Sequence, residues 1–304
     1  MKARQLAVLS GKGGTGKTSI VASLAALAGR AVVIDCDVDA ANMALLMPGS
    51  DGPAQPFYAG RRARILEERC TACGRCMEAC RFRALAFKGS RLVVERLACE
   101  GCGACAHACP SGAIAYDDNL AGQWWIRPVA EGLLVHARLG IAQDNSGKLV
   151  ASLRKTGREL AERDGYGLVL VDGPPGIGCP VHAALSGIDA LLVVTEPTVA
   201  GEHDLRRIVG LAARFGVPTG VVINKHDLVP GAGERIERSC AKLEVPVLGR
   251  IPFDPLVPER ASRGQPALAA SAGTAEALAD VWSRAQEQLL SGEPNGSNPH
   301  LTGA

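Results

Sequence analysis

A chain of 304 residues with 47% hydrophobic content is long enough for two domains of roughly 150 residues and at least one sizeable core. Lys and Arg number 33 against 31 Asp and Glu, for a formal charge of +2, which argues against a dedicated nucleic-acid binder with a strongly basic face. No apolar run approaches the ~18–20 residues that cross a bilayer, and the apolar stretch 6–9 is too short for a secretory signal. The expectation is a cytoplasmic protein without membrane contact.

In chain order, a buried strand at 5–10 leads to a helix at 18–27 and a strand at 31–35. The pattern resumes with a helix at 147–162, strands at 168–172 and 190–196, a helix at 202–215, a strand at 220–224, a helix at 234–243, a strand at 247–251 and a helix at 274–290. Such alternation predicts an α/β fold with a mostly parallel sheet and helices on both faces. It breaks between 57 and 118, where Cys, Arg and Gly dominate. The segment 122–145 is ambiguous, with 124–126 and 133–141 as candidate strands. The chain therefore divides into a larger domain over 1–56 and 119–290, a small inserted domain over 57–118, and a tail over 291–304. The tail is rich in Gly, Pro, Asn and Ser and is expected to be disordered.

Eight of the eleven cysteines lie in that insert. Cys70, Cys73, Cys76 and Cys80 recur 29 residues later as Cys99, Cys102, Cys105 and Cys109. Ala84-Leu85-Ala86 likewise recurs as Ala113-Ile114-Ala115, and Gly74 as Gly103, so the insert is an internal duplication. In a long chain without a secretory signal, clustered thiols point to metal rather than disulfides. C-x2-C-x2-C-x3-C supplies four soft thiolates, enough to saturate an iron–sulfur cluster. Zinc sites more often show paired C-x2-C knuckles.

Gly11-Lys12-Gly13-Gly14-Thr15-Gly16-Lys17-Thr18 fits G-x4-G-K-[ST], between a predicted strand and a predicted helix. Backbone N–H groups of such a loop cradle phosphates at a helix N-terminus. Lys17 reaches the β- and γ-phosphates, and Thr18 ligates Mg²⁺. Acids end two of the predicted strands, in Asp35-Cys36-Asp37-Val38-Asp39 and in Val171-Asp172-Gly173-Pro174-Pro175-Gly176. Asp39 receives no role.

Two resemblances follow from these residues. The cysteine segment resembles bacterial two-cluster ferredoxins, with Pro110 after the second run but Arg81 after the first. That likeness implies an α+β ferredoxin-like domain with two 4Fe–4S clusters and crossed ligation. One cluster takes Cys70, Cys73, Cys76 and Cys109, and the other takes Cys99, Cys102, Cys105 and Cys80. The rest of the chain resembles the MinD/ParA/Mrp and nitrogenase-iron-protein group of P-loop ATPases, whose deviant loop carries an extra early lysine. The likeness implies ATP, Mg²⁺ and a nucleotide-sandwich homodimer in which Lys12 reaches the partner's phosphates. It also implies that Asp37 orients the attacking water or a Mg²⁺-bound water, that Asp172 holds the Mg²⁺ shell, and that the Gly176 N–H senses the γ-phosphate. Asn224 in Asn224-Lys225-His226-Asp227 contacts adenine in that group, with support from a turn like Ile251-Pro252-Phe253-Asp254. N-K-x-D is also the guanine-reading motif of GTPases, so the base stays open, with ATP favoured.

Cys179 sits at the offset from Asp172 where nitrogenase-iron-protein-like reductases hold an intersubunit cluster. No second thiol partners it here, so it is expected to be a small buried thiol near the dimer interface. Cys36 and Cys240 read as core residues. Three functions compete. The favoured one is an ATPase that couples nucleotide-driven dimerisation to electron transfer toward a redox partner. The others are a carrier or assembly factor acting on a metallocluster protein, and a regulatory ATPase whose clusters sense redox state.

Overall fold

The computed structural model describes residues 2–140, 143 and 146–291. The first half of the chain forms β1 (Arg4–Ser10), α1 (Lys17–Ala28), β2 (Ala31–Asp35), α2 (Met43–Leu46), β3 (Gln55–Ile65), α3 (Arg75–Glu78), β4 (Leu85–Lys88), β5 (Arg91–Val94), α4 (Ala104–His107), β6 (Ile114–Val129) and β7 (Gly132–Leu139). The second half forms α5 (Ser146–Asp164), β8 (Leu168–Pro175), α6 (Cys179–Leu185), β9 (Ala190–Thr195), α7 (Val199–Arg214), β10 (Thr219–Asn224), α8 (Ala232–Lys242), β11 (Val247–Ile251), α9 (Leu256–Ser262) and α10 (Ala272–Leu289). Two compact units result. The larger comprises Met1–Ala54, Trp124–Arg138 and Ser146–Ala304, and the smaller Gln55–Gln123 and Leu139–Asn145. The smaller unit is wider than the cysteine-rich stretch 57–118, because β3 and the first part of β6 belong to it. The tail expected over 291–304 lies, from 292 onward, outside the described residues.

The larger unit is an α/β sheet with strand order β11-β10-β9-β1-β8-β2-β7-β6. Its central pairings are all parallel: β1 with β8 and β9, β2 with β8 and β7, and β10 with β9 and β11. Every residue of β2 and β9 is buried, as expected for Val/Ile/Leu-rich strands covered on both faces. Ile20, Val21 and Leu24 of α1 and Leu278, Val281 and Leu289 of α10 share one core with Leu6, Val8, Val33, Leu170 and Leu192. Capping fixes two helix starts: Thr198 Oγ1 accepts from Gly201 N at 2.9 Å before α7, and Ser271 Oγ from Thr274 N at 3.3 Å before α10.

The chain leaves β1 for β2 on one side, then passes from β8 back across β1 to β9. That reversal opens a crevice at the carboxyl ends of β1 and β8, where doubly wound sheets bind ligands. The register sets Val8 and Asp35 each opposite Asp172, and Ser10 opposite Pro175.

The smaller unit has β3 beside β6 and an antiparallel β4–β5 hairpin pairing Leu85 with Val94 and Lys88 with Arg91. Ala63, Cys76, Ala84, Leu85, Leu92, Cys99 and Cys105 form its core. The 29-residue repeat is visible in its backbone. Left-handed φ occurs at Ala72 and Gly101, at Gly74 and Gly103, and at Arg83 and Gly112. The same turn follows both runs: Arg83 N donates to Cys80 O at 3.1 Å, and Gly112 N to Cys109 O at 3.3 Å. Arg81 in place of Pro110 therefore leaves the turn after Cys80 unchanged.

Candidate functional site

The nucleotide site is built where β1 turns into α1. Gly16 is left-handed at φ 86, and a Cβ there would lie 2.4 Å from Asn224 Nδ2, so only glycine fits. That Asn224 amide donates to Thr15 O at 2.7 Å, while its Oδ1 accepts from Lys225 N at 3.0 Å. Asn224 therefore ties β10 to the loop. Asp227 Oδ1 accepts from Phe253 N at 2.7 Å, which ties the turn after β11 to the segment that follows β10.

Lys17, on the first turn of α1, is buried with its Nζ 2.5 Å from Asp172 Oδ1 and 4.0 Å from Asp37 Oδ2. Thr18 Oγ1 donates to Asp172 Oδ2 at 2.8 Å. Asp172 has no exposure at all, and both its oxygens are satisfied by the first turn of α1. Asp35 is equally buried, and its oxygens accept from Asp37 N and Met43 N, each at 3.1 Å. Burial and then the Asp172 charge push the Asp35 carboxyl up to about 7. Burial also raises Asp37, against the pull of Lys17. Asp37 and Asp172 thus flank one buried ammonium, with Thr18 hydrogen-bonded to Asp172 beside it, and these oxygens are of the hard type that Mg²⁺ takes.

Lys12 is not free in this arrangement. Its Nζ lies 3.0 Å from Glu196 Oε2, while Lys225 Nζ lies 2.6 Å from Glu196 Oε1 and 3.0 Å from Gly14 O. Burial works against ionisation of Glu196, but Lys225 and Lys12 outweigh it and hold the carboxyl below its ordinary value. The Gly176 N–H, for which the resemblance implied a γ-phosphate contact, donates instead to Ser10 O at 3.0 Å. Sequence reasoning missed Glu196 and the position of Lys225. The available signal was an acid at the carboxyl end of the predicted strand 190–196, just as Asp35 and Asp172 end theirs.

In the smaller unit the eight thiols sort into two hollows. Cys80, Cys99, Cys102 and Cys105 line one, with Phe82 and Leu85 among its walls. Cys70, Cys73, Cys76 and Cys109 line the other, with Ile65 and Leu92. Among the described residues, no three His, Cys, Asp or Glu side chains converge tightly enough to hold a single metal ion. A cubane needs no such convergence, because each thiolate binds a separate iron and the four stand around a body. Four soft donors around an apolar hollow therefore fit a 4Fe–4S cluster. Backbone donors already point at the sulfurs: Ala84 N to Cys80 Sγ at 3.4 Å, Ala63 N to Cys99 Sγ at 3.4 Å and Ala113 N to Cys109 Sγ at 3.3 Å.

Cys36 and Cys240 are buried core thiols, and burial raises both, Cys240 to about 11. Cys179 corrects the expectation of a buried thiol. It begins α6, follows Gly178, and is exposed on this chain.

A family model described as the CobQ/CobB/MinD/ParA nucleotide binding domain matches residues 6–267. The uncharacterized protein MJ0578 of Methanocaldococcus jannaschii is 33% identical over 230 residues, covering 73% of this chain and 78% of that one. The cytosolic Fe-S cluster assembly factor Nubp1 homolog of Drosophila willistoni is 26% identical over 142 residues, 40% of this chain and 46% of that one. Among solved structures, the septum site-determining protein MinD of Pyrococcus horikoshii, complexed with Mg-ADP, superposes with a TM-score of 0.58 at 19% identity. It covers 95% of this chain and 98% of its own. At that identity the likeness establishes the fold. Among the described residues, no helix is long and apolar enough to cross a membrane.

Proposed function

This chain belongs to the CobQ/CobB/MinD/ParA nucleotide-binding family, and from that membership we propose that it is an ATPase coupling nucleotide-driven homodimerisation to electron transfer through two 4Fe–4S clusters. One observation carries the redox part: each thiol hollow combines three cysteines of one repeat with the fourth cysteine of the other. Cys70, Cys73, Cys76 and Cys109 hold one cluster, and Cys99, Cys102, Cys105 and Cys80 the other. Bound there, the clusters take up and release single electrons. Saturation by four thiolates leaves no open iron position, which suits electron transfer better than release of the cluster.

On the nucleotide side, Gly11, Gly13, Gly14, Thr15 and Gly16 supply the phosphate cradle. Lys17 leaves Asp172 for the β- and γ-phosphates. Thr18, Asp37 and Asp172 then take Mg²⁺ directly or through its waters. Asp37 orients the water that attacks the γ-phosphorus. Lys12 leaves Glu196 to neutralise the transition-state charge of the partner's nucleotide, as an arginine finger does in trans. Asn224 lines the base side, and the Mg-ADP bound by the solved MinD relative favours ATP over GTP.

The test is EPR and redox titration of anaerobically prepared protein, with and without Mg-ATP. A nucleotide-dependent shift of the cluster signals is the expected result. Signals indifferent to nucleotide overturn the coupling. They would favour the second reading, an ATPase serving metallocluster assembly, toward which the partial likeness to the Drosophila Nubp1 homolog points.

A further inference from the structure

The repeat that builds the two hollows is broken at one chemically telling place. The 29-residue offset maps Tyr116 onto Phe87 and Cys105 onto Cys76. Tyr116 Oη lies 3.7 Å from Cys105 Sγ, and Phe87 has no hydroxyl to offer Cys76. With the sulfur as a thiolate, only the tyrosine can donate.

The surroundings reinforce the asymmetry. The Arg61 guanidinium stacks on the Tyr116 ring with Cζ 4.2 Å from its centroid, and Arg61 Nε donates to Gly101 O at 3.2 Å. A Cβ on Gly101 would stand 2.1 Å from Arg61 O, so the glycine is what lets the ligand loop and this cation meet. The other set has a hydroxyl of its own, Ser111 Oγ at 3.5 Å from Cys109 Sγ, where the first repeat has Phe82. Among the described residues, the Cys80/Cys99/Cys102/Cys105 set thus receives donors from Ala63 N, Ala84 N and Tyr116, with a cation alongside. The Cys70/Cys73/Cys76/Cys109 set receives Ala113 N and Ser111.

Donors to the sulfurs and nearby positive charge both favour the reduced, more anionic form of a cluster. We propose that Tyr116, backed by Arg61, makes the Cys80/Cys99/Cys102/Cys105 cluster the higher-potential one, so that an electron entering the unit comes to rest there. The inference rests on the two-cluster reading above. It makes Tyr116 a positioning residue of the electron path rather than a ligand.

Iron and acid-labile sulfide are counted first, on the full chain prepared anaerobically. About eight irons per chain uphold the two-cluster reading, and far fewer overturn that reading, whatever Tyr116 does. The loaded protein is then titrated redox-potentiometrically with EPR detection. The wild type is expected to reduce in two steps, with Cys80→Ser removing the upper one. Tyr116→Phe, at unchanged iron content, should lower the upper step by about tenfold in the oxidised-to-reduced ratio, ~59 mV for a one-electron couple. Arg61→Gln should lower the same step, and it serves as the second probe where Tyr116→Phe loses iron. Coincident steps in the wild type, or variants at full iron content that leave the upper step in place, overturn the proposal.

Discussion

Lys12 Nζ stands 3.0 Å from Glu196 Oε2, so the lysine that marks the deviant loop is paired within its own chain before any partner arrives. Its side chain remains 40% exposed while Glu196 is only 11% exposed, which makes the lysine the mobile member of the pair. Lys12→Ala should lower the ATP hydrolysis rate by about 100-fold or more, the usual loss when one transition-state charge contact is removed. Glu196→Gln should do the opposite to assembly, raising the dimer fraction at a given Mg-ATP concentration, because Lys12 no longer has a full charge to leave. Analytical ultracentrifugation with a slowly hydrolysed ATP analogue reads the second effect. Hydrolysis unaffected by Lys12→Ala would sink the sandwich-dimer mechanism.

Asp172 and Lys17 form a pair almost without solvent, and Thr18 occupies the second carboxylate oxygen. Breaking a buried pair from one side strands the remaining charge. Asp172→Asn should therefore destabilise the nucleotide-free protein by about 3 kcal/mol, at the low end of the usual range because Asp37 stands 4.0 Å from the same ammonium. Denaturant unfolding without nucleotide tests this. The same variant should lose the extra stability that Mg-ATP confers on the wild type, since an Asn contributes no charge to the metal shell.

A second ionic link holds the chain beyond α2 to the sheet. Asp51 Oδ1 accepts from Arg127 Nε at 2.7 Å and lies 2.8 Å from His136 Nε2, while Arg127 Nη1 donates to Ala44 O at 2.8 Å. The Arg127 hydrogen bond, helped by His136, draws Asp51 from its ordinary 3.8 down to about 2. Because the folded value is the lower one, the stabilisation is complete above the unfolded value and disappears as pH falls through about 2. Asp51 is exposed, so solvent screening keeps the contribution under about 1 kcal/mol. Asp51→Asn should lower Tm slightly at pH 6, and the difference from wild type should close between pH 4 and pH 2. A gap that widens with acid would contradict the assigned direction.

The sheet and the phosphate loop were legible because they depend on local chemistry. Residues 31–35 and 247–251 are strands with the expected bounds, since an unbroken aliphatic run between turn signals has few other solutions. Lys17 and Asp172 both stand out in the sequence, but their pairing shows only in the structure, where α1 follows β1 and Asp172 lies on the neighbouring β8. Strand β3 was not legible. Its buried residues, Phe57, Ala59, Arg62 and Ala63, keep a two-residue period only as far as Gly60, and the Arg and Gly content conceals it. Glu196 was hidden for another reason, because it gains meaning only when Lys12 and Lys225, from loops after two other strands, converge on it. The exposure of Cys179 also depends on tertiary placement, which a lone cysteine does not encode.

The sorting of thiols across the repeat leads to the sharpest test of the smaller unit. Cys80 lies in the same run as Cys76, yet it lines the hollow of Cys99, Cys102 and Cys105. Its sulfur accepts from Ala84 N, as that of Cys109 does from Ala113 N. Cys80→Ser should therefore release about four irons per chain and abolish the EPR signal of one cluster, leaving the Cys70/Cys73/Cys76/Cys109 cluster at its wild-type potential. Cys109→Ser should do the reverse. If ligation instead followed the linear runs, Cys80→Ser and Cys70→Ser would remove the same signal. Under crossed ligation they remove different ones, and a comparison of the two single variants decides between the arrangements even if each lowers the total iron equally.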